Sequence, residues 1–395
     1  MPHDVSLIST VAVGLTFAFA GGFLASRVGL PPLVGYLLAG IVVGPFTPGF
    51  VADQKLAPQI AEIGVVLLMF GVGMHFSVGD LWAVRRIAIP GAIGQIVVAT
   101  ALGAGISRLW GWELDDALMF GLALSVASTV VLLRALEDRG LVSTADGRIA
   151  VGWLVVEDLV MVLALVLLPA LAGSIEPQAA HPPTQSVGWA IATTLGKVVA
   201  FVGLMLLVGK RVFPWLLKRV EKTGSRELFT LAVIALSLGV AFGSAELFGV
   251  SLALGAFFAG MVVHESELSQ RAAQDLLPLQ DAFGALFFVA VGMLFDPAVL
   301  VRQPLRVLAV VLIIVVGKSV VALGIVLLLR GSMHTALTVS AALAQIGEFS
   351  FILAALGVGL GLLAPEAQSL IVAGALLSIT LHPMVFRALA RPASP

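Results

Sequence analysis

Apolar runs long enough to cross a bilayer follow one another along the whole of this 395-residue chain. The hydrocarbon core of a membrane is about 30 Å thick, and about 20 helical residues cross it. Inside that layer every backbone N–H and C=O must find its partner within the protein, so runs of this length form helices. Hydrophobic residues make up 59% of the chain and charged residues 11%, against about 25% charged in soluble domains. The sequence therefore reads as an all-α membrane protein. It divides into thirteen spans, at about 5–26, 31–48, 59–77, 87–108, 116–137, 149–172, 188–209, 227–245, 248–263, 278–295, 307–329, 334–358 and 368–390. The longest loop, "GSIEPQAAHPPTQSVG", is Pro-rich and irregular.

The opening stretch lacks a basic n-region and a cleavage site, so it reads as a retained first span. With no cysteine, disulfides, thiolate metal sites and cysteine nucleophiles are excluded. The net charge is −1, which points to membrane lipid and away from nucleic acid. Sixteen Lys and Arg, from Arg27 to Arg391, fall at one end of the spans. Four, Lys55, Arg108, Arg302 and Arg306, fall at the other. Basic loops stay in the cytoplasm, which places the N-terminus outside and the C-terminus inside.

The chain repeats itself. "GYLLAGIVV" at Gly35 matches "GAFFAGMVV" at Gly255, and "VGMHF" at Val72 matches "VGMLF" at Val291, offsets of 220 and 219. The shift carries spans two and three onto nine and ten. Seven spans is an odd number, so the halves are expected to be inverted, as in many secondary transporters. Spans 1–6 and 8–13 are then the repeats and span seven the connector.

Polar residues collect at one depth. "GWLVVEDLVMVLALVLLPA" sets Glu157 and Asp158 inside span six. Asp158 lies about 13 Å from the cytoplasmic start at 1.5 Å per residue. Lys318 in span eleven, Ser128 and Thr129 in span five, and Gln345 and Glu348 in span twelve lie at similar depth. The repeat shift takes Thr129 to the position of Glu348. Charges at this depth face one another or a polar cavity, and Lys318 can neutralise one of the acids. The polar, small residues of spans five and twelve suit unwound helices, whose ends aim dipoles and free carbonyls at such a site. Carboxylate, hydroxyl and carbonyl oxygens fit a small monovalent cation. A carboxyl there holds either a proton or a cation, and adjacent acids titrate together.

Other readings stand beside these. Neighbours on a helix point about 100° apart, so one of the two acids has the alternative of being only the structural partner of Lys318. Ser128 and Thr129 have the alternative of satisfying backbone carbonyls, and Gln345 and Glu348 of joining helices. Lys197 reads as a snorkelling side chain. His3, His181, His264 and His382 form no metal-binding spacing and read as structural. "GAIGQ" and "GVGLGLL" read as close helix contacts.

The stretches "GYLLAGIVVGP", "EIGVVLLMFGVGMHF", "SVASTVVLLRALEDRG", "GRIAVGWLVVEDLVMV", "GSRELFTLAVIAL", "ALGAFFAGMVVHESE", "LFFVAVGMLFD" and "ALAQIGEFSFILA" together carry a resemblance. They resemble the membrane domain of Kef-type monovalent cation:proton antiporters (the cation:proton antiporter-2 family), above all the YbaL-like branch, over nearly all of the chain. The resemblance implies one transmembrane antiporter domain over 1–395 with a sodium/proton-antiporter-like fold. Spans 4–6 and 11–13 form an ion-binding core in which broken spans five and twelve cross. Spans 1–3 and 8–10 form a scaffold and homodimer contact, and the core moves past it as an elevator.

By the same likeness Asp158 is the ion-binding aspartate and Thr129, with Ser128, helps hold the ion. Lys318 pairs with the acids when no cation is bound. Glu157 stands where relatives carry Asp, Asn or Gln. The implied substrates are potassium first, sodium second, and H+, with no cofactor in this chain, in a bacterial inner membrane. Kef proteins proper read Gln-Asp where this chain reads Glu-Asp, which leaves cation and stoichiometry open. Relatives usually continue into a soluble nucleotide-binding regulatory domain, and this chain stops at Pro395. An enzyme is not expected: an intramembrane aspartyl protease needs aspartates in Y-D and G-x-G-D contexts, and the one tyrosine is Tyr36. A ligand-gated potassium channel is the alternative of a different class, although no T-V-G-Y-G-like filter is present.

Overall fold

The computed structural model describes residues 6–48, 53, 56–75, 78–142, 144–175 and 187–389, and every regular element among them is helical. In chain order they are α1 (Ser6–Arg27), α2 (Pro32–Val43), α3 (Leu56–His75), α4 (Val78–Leu109), α5 (Leu114–Ser125), α6 (Thr129–Glu137), α7 (Ala145–Ile175), α8 (Val187–Leu204), α9 (Lys210–Glu221), α10 (Arg226–Phe248), α11 (Leu252–His264), α12 (Ser269–Met293), α13 (Val299–Arg302), α14 (Pro304–Leu312), α15 (Lys318–Leu328), α16 (Met333–Ala342), α17 (Glu348–Gly359) and α18 (Pro365–Leu389). Two π-helical turns, Met205–Gly209 and Ile313–Gly317, join α8 to α9 and α14 to α15.

Ten helical stretches among the described residues are long and apolar enough to cross a membrane, and α2, α11 and α17 are shorter apolar helices. The protein is a multi-pass membrane protein. Two helices start earlier than expected. Span four was expected from 87 and span ten from Pro278, yet α4 begins at Val78 and keeps Pro90 inside, and α12 begins at Ser269 and keeps Pro278 inside. Proline is tolerated inside membrane helices because neighbours satisfy the freed carbonyl.

The helices pack as two units. One contains the start of α1, α3, the end of α7, α8–α11 and most of α12. Within it α3 and α11 lie backbone to backbone. A Cβ on Gly73 would stand 2.1 Å from the Phe257 carbonyl oxygen, and one on Gly260 would stand 2.0 Å from the Phe70 carbonyl oxygen. Only glycine permits that approach.

The other unit contains the rest of α1, α2, α4–α6, α7 up to Met161, the end of α12 and α13–α18. Within it a Cβ on Gly292 would stand 2.2 Å from the Leu37 carbonyl oxygen and 3.0 Å from the Gly40 Cα. Residues 37, 40 and 292 correspond to 257, 260 and 73 at the offsets read in the sequence. The repeat thus has a physical counterpart: the same glycine crossing occurs once in each unit. The core of this second unit includes Leu132, Trp153, Leu154, Val339 and Leu343, all buried.

Candidate ion-binding site

Two apolar runs of the second unit stop being helical midway and then resume. In the first, α5 ends at Ser125, Val126 and Ser128 are extended, and α6 starts at Thr129. Serine hydroxyls compete with the helix for backbone bonds. Ser125 Oγ donates to the Leu122 carbonyl at 2.7 Å, and Ser128 caps α6 by accepting the Val131 N–H at 3.4 Å. In the second, α16 ends at Ala342 and α17 starts at Glu348, with 343–347 non-helical. Gly347 precedes α17 without a side-chain cap. Glu348 puts a carboxylate at the positive end of the helix dipole.

The two breaks are in direct contact. Gln345 Oε1 accepts the Ser128 N–H at 2.8 Å, and Gln345 Nε2 donates to the Ser128 carbonyl at 3.2 Å. A buried, unwound peptide needs both partners, and one amide side chain supplies them. Ser128 Oγ donates to Glu348 Oε2 at 3.0 Å. A Cβ on Gly347 would lie 2.3 Å from Ser128 Cβ, so only one of the two breaks can carry a side chain at the crossing.

Glu157 and Asp158, 0% and 2% exposed, have very different surroundings. Glu157 accepts three hydrogen bonds: Gln95 Nε2 at 2.7 Å and Trp153 Nε1 at 3.1 Å on Oε1, and the Ala127 N–H at 3.0 Å on Oε2. Asp158 accepts one, from Thr129 Oγ1 to Oδ2 at 3.1 Å. Its Oδ1 is buried with no hydrogen-bond partner. Asp158 and Glu348 repel one another when both are charged.

A family model described as "Sodium/hydrogen exchanger, transmembrane" matches residues 14–391. The chain belongs to that family. It is 61% identical over 386 residues to the "Putative cation/proton antiporter YbaL" of Escherichia coli (strain K12), covering 98% of this chain and 69% of that protein. It is 34% identical to "K(+) efflux antiporter 4" of Arabidopsis thaliana, covering 97% of this chain and 64% of that protein. The likeness to Kef-type antiporters of the YbaL-like branch is therefore a true one. These relatives are named as transporters, not enzymes. The fold is that of the solved sodium proton antiporter MjNhaP1 of Methanocaldococcus jannaschii at pH 8. The match has a TM-score of 0.73 and 14% identity, and it covers 97% of this chain and 98% of that one.

Of the polar residues expected to meet, Ser128 is bonded to Gln345 and Glu348, and Thr129 to Asp158, while Glu157 is bonded to Gln95, Trp153 and the Ala127 N–H. Lys318 differs from expectation. It is fully buried, but its Nζ donates to the Gln345 carbonyl at 2.9 Å. None of the ion pairs within 4.0 Å among the described residues includes it. The carbonyl is free to accept because residue 345 lies in a break. The acid on which the Lys318 charge acts is Glu157.

Sequence reasoning missed Gln95 and Trp153. Trp153 lies four residues before Glu157 on α7, a spacing that brings side chains together. Gln95 sits in "GAIGQ", where Gly91 makes room for the Trp153 ring: a Cβ there would stand 2.1 Å from it. Lys197 is exposed and lies in the other unit. His264 Nδ1 lies 2.6 Å from the Met74 carbonyl and His382 Nε2 3.0 Å from that of Ala341. His3 and His181 lie outside the described residues.

Proposed function

We propose that this chain exchanges a monovalent cation, potassium first and sodium second, for protons across a bacterial inner membrane. The observation that carries the reading is Asp158 Oδ1, a buried carboxylate oxygen with no hydrogen-bond partner. Leaving such a group without a counter-charge is costly. A proton removes the charge, and an alkali cation offsets it with hard oxygen coordination. One oxygen cannot serve both at once, and that competition couples the two flows. The named activities of the relatives support the same class.

In the proposed cycle the cation binds Asp158, with Thr129 and Ser128 hydroxyls and backbone oxygens of the break around it. Glu157, whose two oxygens already accept three hydrogen bonds, contributes charge to the site more than a free ligand oxygen. Gln345 holds the broken backbone, and Glu348 balances the two helix N-termini that meet there. Lys318 has two stations, the Gln345 carbonyl and an acid, and takes the second when the cation leaves. Thirteen spans, inverted in two halves, cross the membrane, with the N-terminus outside and the C-terminus cytoplasmic. Spans 4–6 and 11–13 move as an elevator core against a homodimeric scaffold of spans 1–3 and 8–10, with span seven between.

The test uses proteoliposomes with an internal pH dye and an imposed proton gradient. Potassium or sodium should dissipate the gradient, choline should not, and Asp158→Asn should abolish the effect. Full exchange by Asp158→Asn would sink the proposal. Potassium leaking down its own gradient without proton movement would favour a channel.

A further inference from the structure

The helix that runs from α8 through its π turn into α9 covers residues 187–221 without interruption. That is about 50 Å of helix at 1.5 Å per residue, well beyond the roughly 30 Å of a hydrocarbon core. Its composition changes at the π turn. The residues before it are mostly apolar, with Lys197 the one charge in α8, and α9 after it reads "KRVFPWLLKRVE". α9 therefore begins about where the hydrocarbon ends, on the side rich in Lys and Arg. Among the ten candidate spans, 196–221 has the smallest buried share, 17%.

The cations of α9 and of its C-cap Lys222 fall into two groups. Lys210 and Lys218 are paired, with Glu265 at 3.6 Å and Glu267 at 3.0 Å. Arg211, Arg219 and Lys222 are exposed and have no acid within 4.0 Å among the described residues. Spacings of 4, 4 and 3 residues from 211 through 215 and 219 to 222 put them on one face with Trp215, which is 60% exposed. The acid nearest in sequence, Glu221, is turned to Arg271 at 3.4 Å. Three uncompensated cations around an exposed indole, at the level of a membrane interface, match a phosphate above and acyl carbon below.

We propose that this face of α9 binds the headgroup phosphate of an anionic phospholipid. This goes beyond the exchange reading and does not depend on it. The full chain, reconstituted in phosphatidylcholine bilayers, is doped with brominated phosphatidylglycerol or, separately, brominated phosphatidylcholine. Tryptophan quenching is measured, and the part lost in Trp215→Phe reports Trp215 among the six tryptophans. Each basic group near an anionic leaflet strengthens binding about fivefold. Trp215 should therefore associate with phosphatidylglycerol at least roughly tenfold more strongly than with phosphatidylcholine. Arg211→Gln/Arg219→Gln/Lys222→Gln should remove the preference, and Arg211→Lys/Arg219→Lys/Lys222→Arg should keep it. Equal quenching by the two lipids, or a preference that survives the triple neutral variant, overturns the proposal. So does absence of quenching by either lipid, and if light scattering then shows that the neutral variant loses a dimer, a second copy covers this face.

Discussion

The two helix breaks use one backbone device and give it opposite chemistry. At the offset of 219 Ser128 corresponds to Gly347 and Thr129 to Glu348. In the first break the side chains are hydroxyls, one capping α6 and one donating to Asp158. In the second they are an amide and a carboxylate directed back at the first break, and the crossing position is glycine. One break thus presents groups to the candidate ion site, and the other buttresses it. Two equal breaks could not have met, because the crossing holds a single Cβ.

Gly347→Ala tests this asymmetry most severely. Its Cβ would fall 2.3 Å from Ser128 Cβ and 2.4 Å from Ser128 Cα, a backbone clash that no rotamer relieves. Overpacking of this kind costs about 3 kcal/mol or more. Thermal unfolding followed by size-exclusion should show a large loss of folded protein, whereas Gly239→Ala, with open space around it, should show little. Next comes Asp158→Asn, expected to lower cation-coupled proton flux by about 100-fold or more with the fold intact. A variant that loses flux only because it unfolds would remove the distinction between a group at the ion site and one that holds the breaks together.

Thr129→Ala is smaller. It should raise the cation concentration for half-maximal exchange by about tenfold without lowering thermal stability comparably. If Glu348→Ala raised it further, the assignment of ligand and buttress would be reversed. The smallest effect is Trp153→Phe, which removes one of three donors to Glu157 and should cost about 1–2 kcal/mol in unfolding.

Much of this arrangement is legible in the sequence, for a physical reason. A polar residue in an apolar run has few explanations, so Ser128, Thr129, Asp158, Lys318, Gln345 and Glu348 stand out before any folding is considered. The breaks follow from serines and a glycine where a helix would otherwise continue. Partnerships are less legible. Nothing in the sequence says that Lys318 bonds to the carbonyl of residue 345, because that carbonyl is available only once the chain has unwound there. Gln95 hides in a glycine-rich run that reads as packing, and its role depends on the tertiary approach of α4 to α7. The starts of α4 and α12 lie earlier than the expected spans because both helices begin with polar and charged residues, Asp80, Arg85 and Arg86 in α4 and Gln270, Arg271 and Asp275 in α12, which an apolar run does not include.

The π turn at Ile313–Gly317 leaves no mark in "IIVVG", yet it lies directly before Lys318. A π turn is an α-helix with one residue too many in a single turn. Removing one residue there would restore ordinary winding and leave all that follows nearly in phase, with the ammonium still directed at the break. The length of span eleven can therefore vary by one residue at this turn without moving what lies beyond it. A one-residue deletion within Ile313–Gly317 should leave Lys318 at the Gln345 carbonyl, because the residue it takes away is the surplus one that the π turn absorbs.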